Sequence, residues 1–591
     1  MSAARPATVE EPVDVRELVT AGEPVGVKGP VAAGEPTGVQ GSVTAGEPVG
    51  RVTVRYGGER TGSGPVTVGQ ANMIRCVLSD PPEHMNYRVV LDLQPGTTLT
   101  DIAAAAGTLL SRHESLRTTF RDGIQYVAAE GELSVEVHEG GGSADVADEV
   151  ASWLQAVRFD LAAEISVRMA VIVSDGVPER LVFVTTHSTV DAGGLAVLRS
   201  ELNDLLLGKP LAAVTAPQPL DVAESERTPA SVRRAEAALR YWETQLWRIP
   251  RSTLTVAVDG DDNDWLLPRL RVRSTAAARA LGRIAARTGA SRSAAVLAAF
   301  AALAGVRAGQ PEVVALAISA NRFRPELREY VGPLAQDALV PVGVDEPTFD
   351  GVLRRTRAAS LAAYQNSRFD SDALIQIMER VHRERGVFFA RDIVFNDMSI
   401  PGLGRRTGGR TAEEGPDIRS HWLPDATLPT RTSLWVHLLE GEVDFTLWAD
   451  PRCLPRADAQ AVGEGIMRLL VEAGDRDVPM AELSGLTGVL PVPRDDGWLM
   501  TDSCWVELAE VRRLVADAVD GRPFLVTPVD GRLVCHLAAP ATPQEVHTAC
   551  VARLFGRMSA MAPHHYVICE SAPGSPDGWQ DQPVIAEGSG R

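Results

Sequence analysis

The feature that most restricts what this chain can fold into is the stretch LVFVTTHSTVDAGGLAVLRSEL, Leu181 to Leu202. It opens as a β-branched run ending at His187, turns through Asp191, Ala192, Gly193 and Gly194, and resumes as an apolar segment with helical spacing. The pattern predicts a strand, a tight turn and a helix. A histidine at the mouth of such a turn is placed to present a ring nitrogen to a cleft. Asp191, four residues on, is placed to fix the local backbone or pair with a cation. An ordinary strand-end histidine is the competing reading, because the same spacing recurs at His421 and Asp425 in HWLPD. Context separates the two. His187 ends an apolar strand and precedes two glycines that allow close backbone approach, whereas His421 lacks a preceding strand pattern and lies between prolines. His187 is therefore the candidate catalytic residue.

At 591 residues the chain is long enough for more than one compact unit. A net charge of −19 argues against a sequence-independent hold on nucleic acid, which needs basic surface to displace counterions. The six cysteines are widely spaced and form no C-x-x-C pair, so neither zinc nor a disulfide framework is expected. Reduced thiols and a cytoplasmic location follow as expectations. The start MSAARPATVEEPVDV has no apolar run behind a basic segment, so no signal peptide is expected. The apolar stretch SAAVLAAFAALAGV, Ser293 to Val306, is too short to cross a bilayer and reads as a buried core helix. No membrane span is expected.

Residues 19 to 50 repeat with a period of twelve (VTAGEPVGVKGP, VAAGEPTGVQGS, VTAGEPVG). Rich in Gly, Pro and Glu, these copies bury too little apolar surface to offset the entropy of ordering them, which predicts a disordered arm over residues 1–50. A solenoid is the competing reading, and the copies are few for it. Ordered structure is expected from RVTVRY, Arg51 to Tyr56, a period-two strand. GPVTVGQANMIRCVL then turns into a helix, MNYRVVLDLQ is strand-like, and TDIAAAAGTLLSRHESLRTTF is helical. The end of that helix mixes charged and apolar positions at helix spacing (Arg112, His113, Glu114, Leu116, Arg117, Phe120), as a salt-bridged helix end would.

RHESLRTTF also resembles the RHExLRTxF signature of the condensation domains of nonribosomal peptide synthetases. Gln70 in GPVTVGQANMI matches the opening motif of that family, and Phe159, Asp160, Leu161 and Arg168 match its Phe-Asp-Leu stretch. THSTVDA falls where the family carries HHxxxDG, with His187 at the second His and Asp191 at the Asp. Thr186 stands at the first His and Ala192 at the Gly. A threonine retains a hydrogen-bonding hydroxyl, whereas an added Cβ at 192 disfavours a positive φ. Tyr241 and Trp242 match the helix before the second lobe. Arg322 and Gly332 in SANRFRPELREYVGPLAQDALVPV match a GR and VG pattern in which Gln336 replaces an Asn. IVFNDMSI, DFTLWADPRCLP and ADAQAVGEGIMRLLVEAG resemble the two closing strands and the final helix.

The resemblance covers residues 51–475. It implies an α/β (α+β) fold of two chloramphenicol-acetyltransferase-like lobes forming a V, with the N-lobe over 51–225 and the C-lobe over 226–475. Residues 476–492 read as a linker. Over 493–591, RDDGWLMTDSCWVELAEV and PHHYVICESAPGSPDGWQD resemble the hinge and the end of the small C-terminal subdomain of adenylation enzymes. Arg494, Asp496, Val506, Glu507, Glu510, Val511, Pro563, Val567, Pro573, Pro576, Gly578 and Asp581 match, and Trp579 stands at the catalytic lysine position. With no adenylation core upstream, this small α+β domain is expected to be a relic or a docking module, an unrelated appendage being the competing reading. Adjacent His564 and His565 are poorly placed to share one ion, and no metal is expected.

The family resemblance implies acyl transfer: an acceptor amine attacks a carrier-bound thioester, His187 takes or orients the amine's proton, and backbone N–H groups near Ala192 and Gly193 steady the oxyanion. Asp191 is then the structural partner of Arg322, and Thr186 is structural. No cofactor is expected on the chain itself. Substrates would ride on phosphopantetheine arms of carrier proteins acting in trans. The basic clusters Gly404–Arg410 and Arg380–Gly386 are either carrier-docking sites or plain solvated surface. Three functions stay open: a stand-alone amide-forming condensation enzyme, an O-acyltransferase on the same fold, and a catalytically impaired carrier-recruiting platform.

Overall fold

The computed structural model describes residues 47–140, 144–255, 266–399 and 417–591. Most of the expected arm and the cluster Gly404–Arg410 lie outside the described residues. The first strand is Gly50–Gly57 and contains the expected strand Arg51–Tyr56.

The apolar run before His187 is the strand Val177–Thr186. It lies inside a five-stranded sheet whose order is Gly50–Gly57, Glu130–Glu139, Val167–Ser174, Val177–Thr186, Asn86–Asp92. The second and third strands run parallel and the other neighbours antiparallel. Leu181 and Phe183 pack with Ile102, Leu109, Leu195 and Leu198, which come from the helices Leu99–Arg112 and Ala192–Leu206. Val182 and Val184 pack on the opposite face with Val150 and Leu154 of the helix Ala144–Ala156. Because both faces are covered, the strand reads as a continuous apolar run instead of alternating.

The second lobe is built on a seven-stranded mixed sheet, ordered Gln336–Gly343, Glu312–Ser319, Ile393–Asp397, Thr432–Leu438, Val443–Ala449, Leu266–Ser274, Arg419–Thr427. The helix Arg292–Ala308 is buried nearly all round against it, as the Ser293–Val306 composition requires. No single helix among the described residues is long and apolar enough to cross a membrane.

Three expectations are corrected by packing. The helix through RHESLRTTF stops at Arg112, and Glu114–Arg117 forms a 3₁₀ turn leading into the strand Thr118–Arg121. The break is held from outside. Arg112 and His113 both bind Glu201, at 3.0 and 2.7 Å, Arg60 pairs with Glu114 at 2.7 Å, and Ser115 donates to the Val331 carbonyl at 2.6 Å. Burial alone would push the Glu201 carboxyl up, but hydrogen bonds from His113 and Arg112 bring it down to about 2. The supposed linker 476–492 is part of the second lobe, since Val478, Leu483 and Val489 are buried in its core. His421 lies within the strand Arg419–Thr427, on the sheet edge, where it and Asp425 are exposed. Asp425 pairs with Arg456.

The C-terminal residues form a hairpin (Trp498–Thr501 and Cys504–Glu507), the helix Leu508–Val519, and a four-stranded sheet backed by the helix Pro543–Val551. This domain shares one apolar core with the second lobe. Trp242, Leu246, Phe369, Val381 and Phe389 cluster with Val506, Val511, Leu514, Val515 and Met561. Arg494 is sandwiched between Trp505 and Trp498, 4.5 and 5.4 Å from the ring centroids, and donates to the Thr255 carbonyl. Trp579 is buried against Ala538 and Cys569. All six cysteines are unpaired, and no group of three His, Cys, Asp or Glu side chains among the described residues is arranged to hold a metal.

The cluster Arg380–Gly386 faces inward only in part, since Arg380 and Arg383 are exposed. Arg380 pairs with Glu243, His382 is buried, and Arg385 bonds the Leu246 and Ile249 carbonyls and the Asp502 carboxylate. Its buried part, Arg385, is a joint to the C-terminal domain. His382 Nε2 accepts the Phe389 N–H at 3.0 Å, which requires a neutral ring, and burial beside Arg385 lowers its pKa to about 4. The unfolded chain takes up this proton near pH 6.5, and the folded protein only near pH 4. Stability from this site is therefore full above about pH 6.5 and falls by about 1.4 kcal/mol per pH unit as the pH drops toward 4. In His382→Gln, whose amide oxygen still accepts the Phe389 N–H, urea unfolding between pH 7 and 4.5 should show a shallower pH slope than wild type. An identical slope would mean that His382 does not titrate on unfolding.

Candidate functional site

The turn after the strand Val177–Thr186 is fixed by backbone bonds. His187 N–H donates to the Met85 carbonyl at 2.8 Å, and the Thr189 and Val190 N–H groups donate back to Thr186 at 3.0 and 3.3 Å. Asp191 then caps the helix Ala192–Leu206, its Oδ1 accepting the Gly194 N–H at 2.9 Å. The same Oδ1 takes Arg322 Nη2 at 2.5 Å, while Oδ2 accepts the Leu334 and Ala335 N–H groups at 2.9 and 3.3 Å. Asp191 is 2% exposed. One carboxylate thus starts the helix in the first lobe and fastens the Arg322–Ala335 loop of the second.

Arg322 is aimed by its own backbone contacts. Nη1 donates to the Leu327 and Tyr330 carbonyls at 2.9 and 2.7 Å. The preceding Asn321 has φ of 52°, the left-handed region that asparagine tolerates better than most residues. Its amide, bonded to the Leu334 and Ser367 carbonyls, locks it there. Gly193 is required by close approach, not by its own φ, because a Cβ at that position would run into the Arg322 guanidinium. Ala192 opens the helix and is not among the residues with positive φ, so the strain expected of a Cβ there does not arise. Thr186 is fully buried and its hydroxyl has no hydrogen-bond partner.

His187 is half-buried where the two lobes meet. Its Nδ1 is enclosed without a hydrogen-bond partner, and its Nε2 lies 2.8 Å from the hydroxyl of Tyr87, on the neighbouring strand. Burial lowers the His187 pKa, partly opposed by Asp191, so the ring is neutral near pH 7 and able to act as a base. His84, nearby, is likewise lowered by burial to about 4. The structure therefore brings His187, Asp191, Arg322, Gly193, Ala192 and Thr186 into one region, and adds Tyr87, Asn321 and the Leu334 and Ala335 amides.

Two mixed α/β lobes, joined through an aspartate–arginine pair beside a histidine at a strand-to-helix turn, define the two-lobed chloramphenicol-acetyltransferase-like class. The profile of the condensation-domain family matches residues 68–414, more than half of the chain, and the protein belongs to that family. Its relatives include cyclosporin synthetase of Tolypocladium inflatum, 26% identical over 373 residues, covering 58% of this chain and 2% of that protein. Tyrocidine synthase 3 of Brevibacillus parabrevis is 26% identical over 349 residues, covering 56% of this chain and 5% of that protein. The match thus spans a small fraction of these relatives' length. Among solved structures, the X-domain from teicoplanin biosynthesis superposes with a TM-score of 0.56 at 18% identity, over 71% of this chain and 96% of that one. The SgcC5 protein of Streptomyces globisporus gives 0.53 at 17%, over 70% and 100%. The first condensation domain of the calcium-dependent antibiotic synthetase gives 0.52 at 18%, over 73% and 98%. These structures support the fold.

Proposed function

We propose that this protein catalyses acyl transfer from a carrier-bound thioester to an acceptor amine, acting in trans on carrier proteins and needing no cofactor of its own. One observation carries the reading: the Asp191–Arg322 joint sets a neutral His187 at the junction of the lobes, with Nε2 hydrogen-bonded to a tyrosine hydroxyl. His187 serves as the base as the amine attacks the thioester carbon. The C–N bond forms, the C–S bond breaks, and the proton returns to the leaving thiolate. The Gly193 N–H, in the first turn of the helix Ala192–Leu206, is the candidate oxyanion donor, since the Gly194 N–H is committed to Asp191. The C-terminal domain is read as an adenylation-type subdomain that has become a fixed part of the second lobe. Trp579 in the lysine position has turned that end into core.

The test is intact mass spectrometry of acyl-loaded carriers incubated with the protein and either amine or alcohol acceptors. His187→Ala should lower turnover by about 10²- to 10⁴-fold while leaving the urea midpoint unchanged. Transfer to alcohols alone would favour ester formation. A second reading, a carrier-recruiting platform, is supported by the unpartnered Thr186 hydroxyl. A similar fold is known in complex with OxyB in the teicoplanin X-domain. Carrier binding without transfer to any acceptor would select it.

A further inference from the structure

We propose that Tyr87 is a second catalytic residue of this site, a phenol through which the acceptor's proton reaches His187; the proposal rests on the acyl-transfer reading above. The strand Asn86–Asp92 pairs antiparallel with Val177–Thr186, placing Tyr87 opposite Thr185. The His187 N–H is bound to Met85 two residues before Tyr87, so strand register fixes the two side chains together. Their rings lie 4.9 Å apart with planes tilted by 45°, and the phenol oxygen is 2.8 Å from Nε2. Both side chains are half-buried, leaving part of each open.

The hydrogen-bonding capacity of a phenol decides the direction. It has one proton and two lone pairs, and the neutral imidazole favoured by burial offers Nε2 as an acceptor when its proton is on Nδ1. In that tautomer Tyr87 donates to Nε2. Its two lone pairs are left for the N–H or O–H of an acceptor. Burial pushes the phenol pKa up, so Tyr87 rests as a neutral donor, not as a phenolate.

The step balances. As the acceptor nitrogen bonds to the thioester carbon, its proton moves to Tyr87 Oη and the proton of Tyr87 moves to His187 Nε2. Collapse of the tetrahedral intermediate breaks the C–S bond. The imidazolium then returns its proton through the same phenol to the departing sulfur. Amide and free thiol are formed, and both side chains end as they began. Tyr87 thus touches the reacting atom, and His187 acts one hydrogen bond further back.

Tyr87→Phe keeps the ring and removes the oxygen. In the carrier assay its turnover should fall about 10²-fold, the lower end for a positioned proton-transfer group, with KM for the acyl-carrier and the urea midpoint unchanged. Releasing Nε2 should also make His187 react faster with diethyl pyrocarbonate, followed by peptide mass mapping, a readout that needs no substrate. Unchanged His187 reactivity would show that the hydrogen bond is absent and overturn the proposal. So would an active wild type matched or exceeded by Tyr87→Phe, because the phenol would then merely cover Nε2. A wild type that transfers no acyl group to any acceptor overturns the acyl-transfer reading, and the relay with it.

Discussion

A chain ended at residue 492 is expected to lose cooperative folding of its second lobe, even though the condensation-domain match stops well before that point. The reason is the shared core. Leu246, Phe369, Leu374, Val381 and Phe389 are buried together with side chains from beyond residue 500. Exposing each such side chain costs about 1.5 to 3 kcal/mol, so a handful equals the total stability of a typical domain, about 5 to 15 kcal/mol. The polar part of the joint points the same way. The Arg385 side chain is 2% exposed, two of its hydrogen bonds go to Asp502, and the neighbouring Gly386 carbonyl accepts the Ala562 N–H at 2.8 Å. Removing the domain uncovers a guanidinium and an apolar face at once. The expected result is an insoluble product, or a soluble one without a cooperative thermal transition. A truncated protein that melts cooperatively within a few degrees of the full chain would make the domain an appendage.

How far the sequence carried depends on where each residue finds its partners. The strand–turn–helix at His187 was legible because its determinants are local: a both-faces-buried strand, an aspartate cap and two glycines within one stretch. Arg322 was legible through the family pattern around it. Tyr87 was not, because nothing in MNYRVVLDLQ distinguishes it from its neighbours until the register with Thr185 sets it beside His187. Arg385 was hidden within the cluster Arg380–Gly386 because charge alone does not reveal that its guanidinium is sealed by carbonyls and a carboxylate more than a hundred residues away. The stretch 476–492 read as a linker because its three core residues, Val478, Leu483 and Val489, are too few and too irregularly spaced to show a period. One signal was available and unused. Asn321 stands where the resembled GR pattern has glycine, and asparagine is a common substitute at a left-handed position.

Asp191→Ala should be the most damaging single substitution in the site, and for stability as well as activity. The carboxylate accepts four hydrogen bonds, from Arg322, Gly194, Leu334 and Ala335, with almost no solvent access. Removing one partner of a buried ion pair strands the other, a loss of about 3 to 5 kcal/mol. Arg322 has no ready replacement, since its Nε is already without a partner. Loss of the helix cap adds about 0.5 to 2 kcal/mol, although the two terms overlap because one oxygen serves both. Asp191→Asn should rescue little. Its NH₂ group must face either Arg322 or the Leu334 and Ala335 amides, and all of these are donors. Urea unfolding of Asp191→Ala, Arg322→Met and the double variant separates the contributions. If the pair joins the lobes as described, the double variant should be less destabilised than the sum of the singles, because removing both charges leaves none stranded. Strict additivity would mean that each residue acts through its backbone contacts alone. Turnover should fall in Asp191→Ala for a reason distinct from His187→Ala: the base is still present, but the turn that holds it and the first turn of the following helix lose the anchor that fixes them against the second lobe.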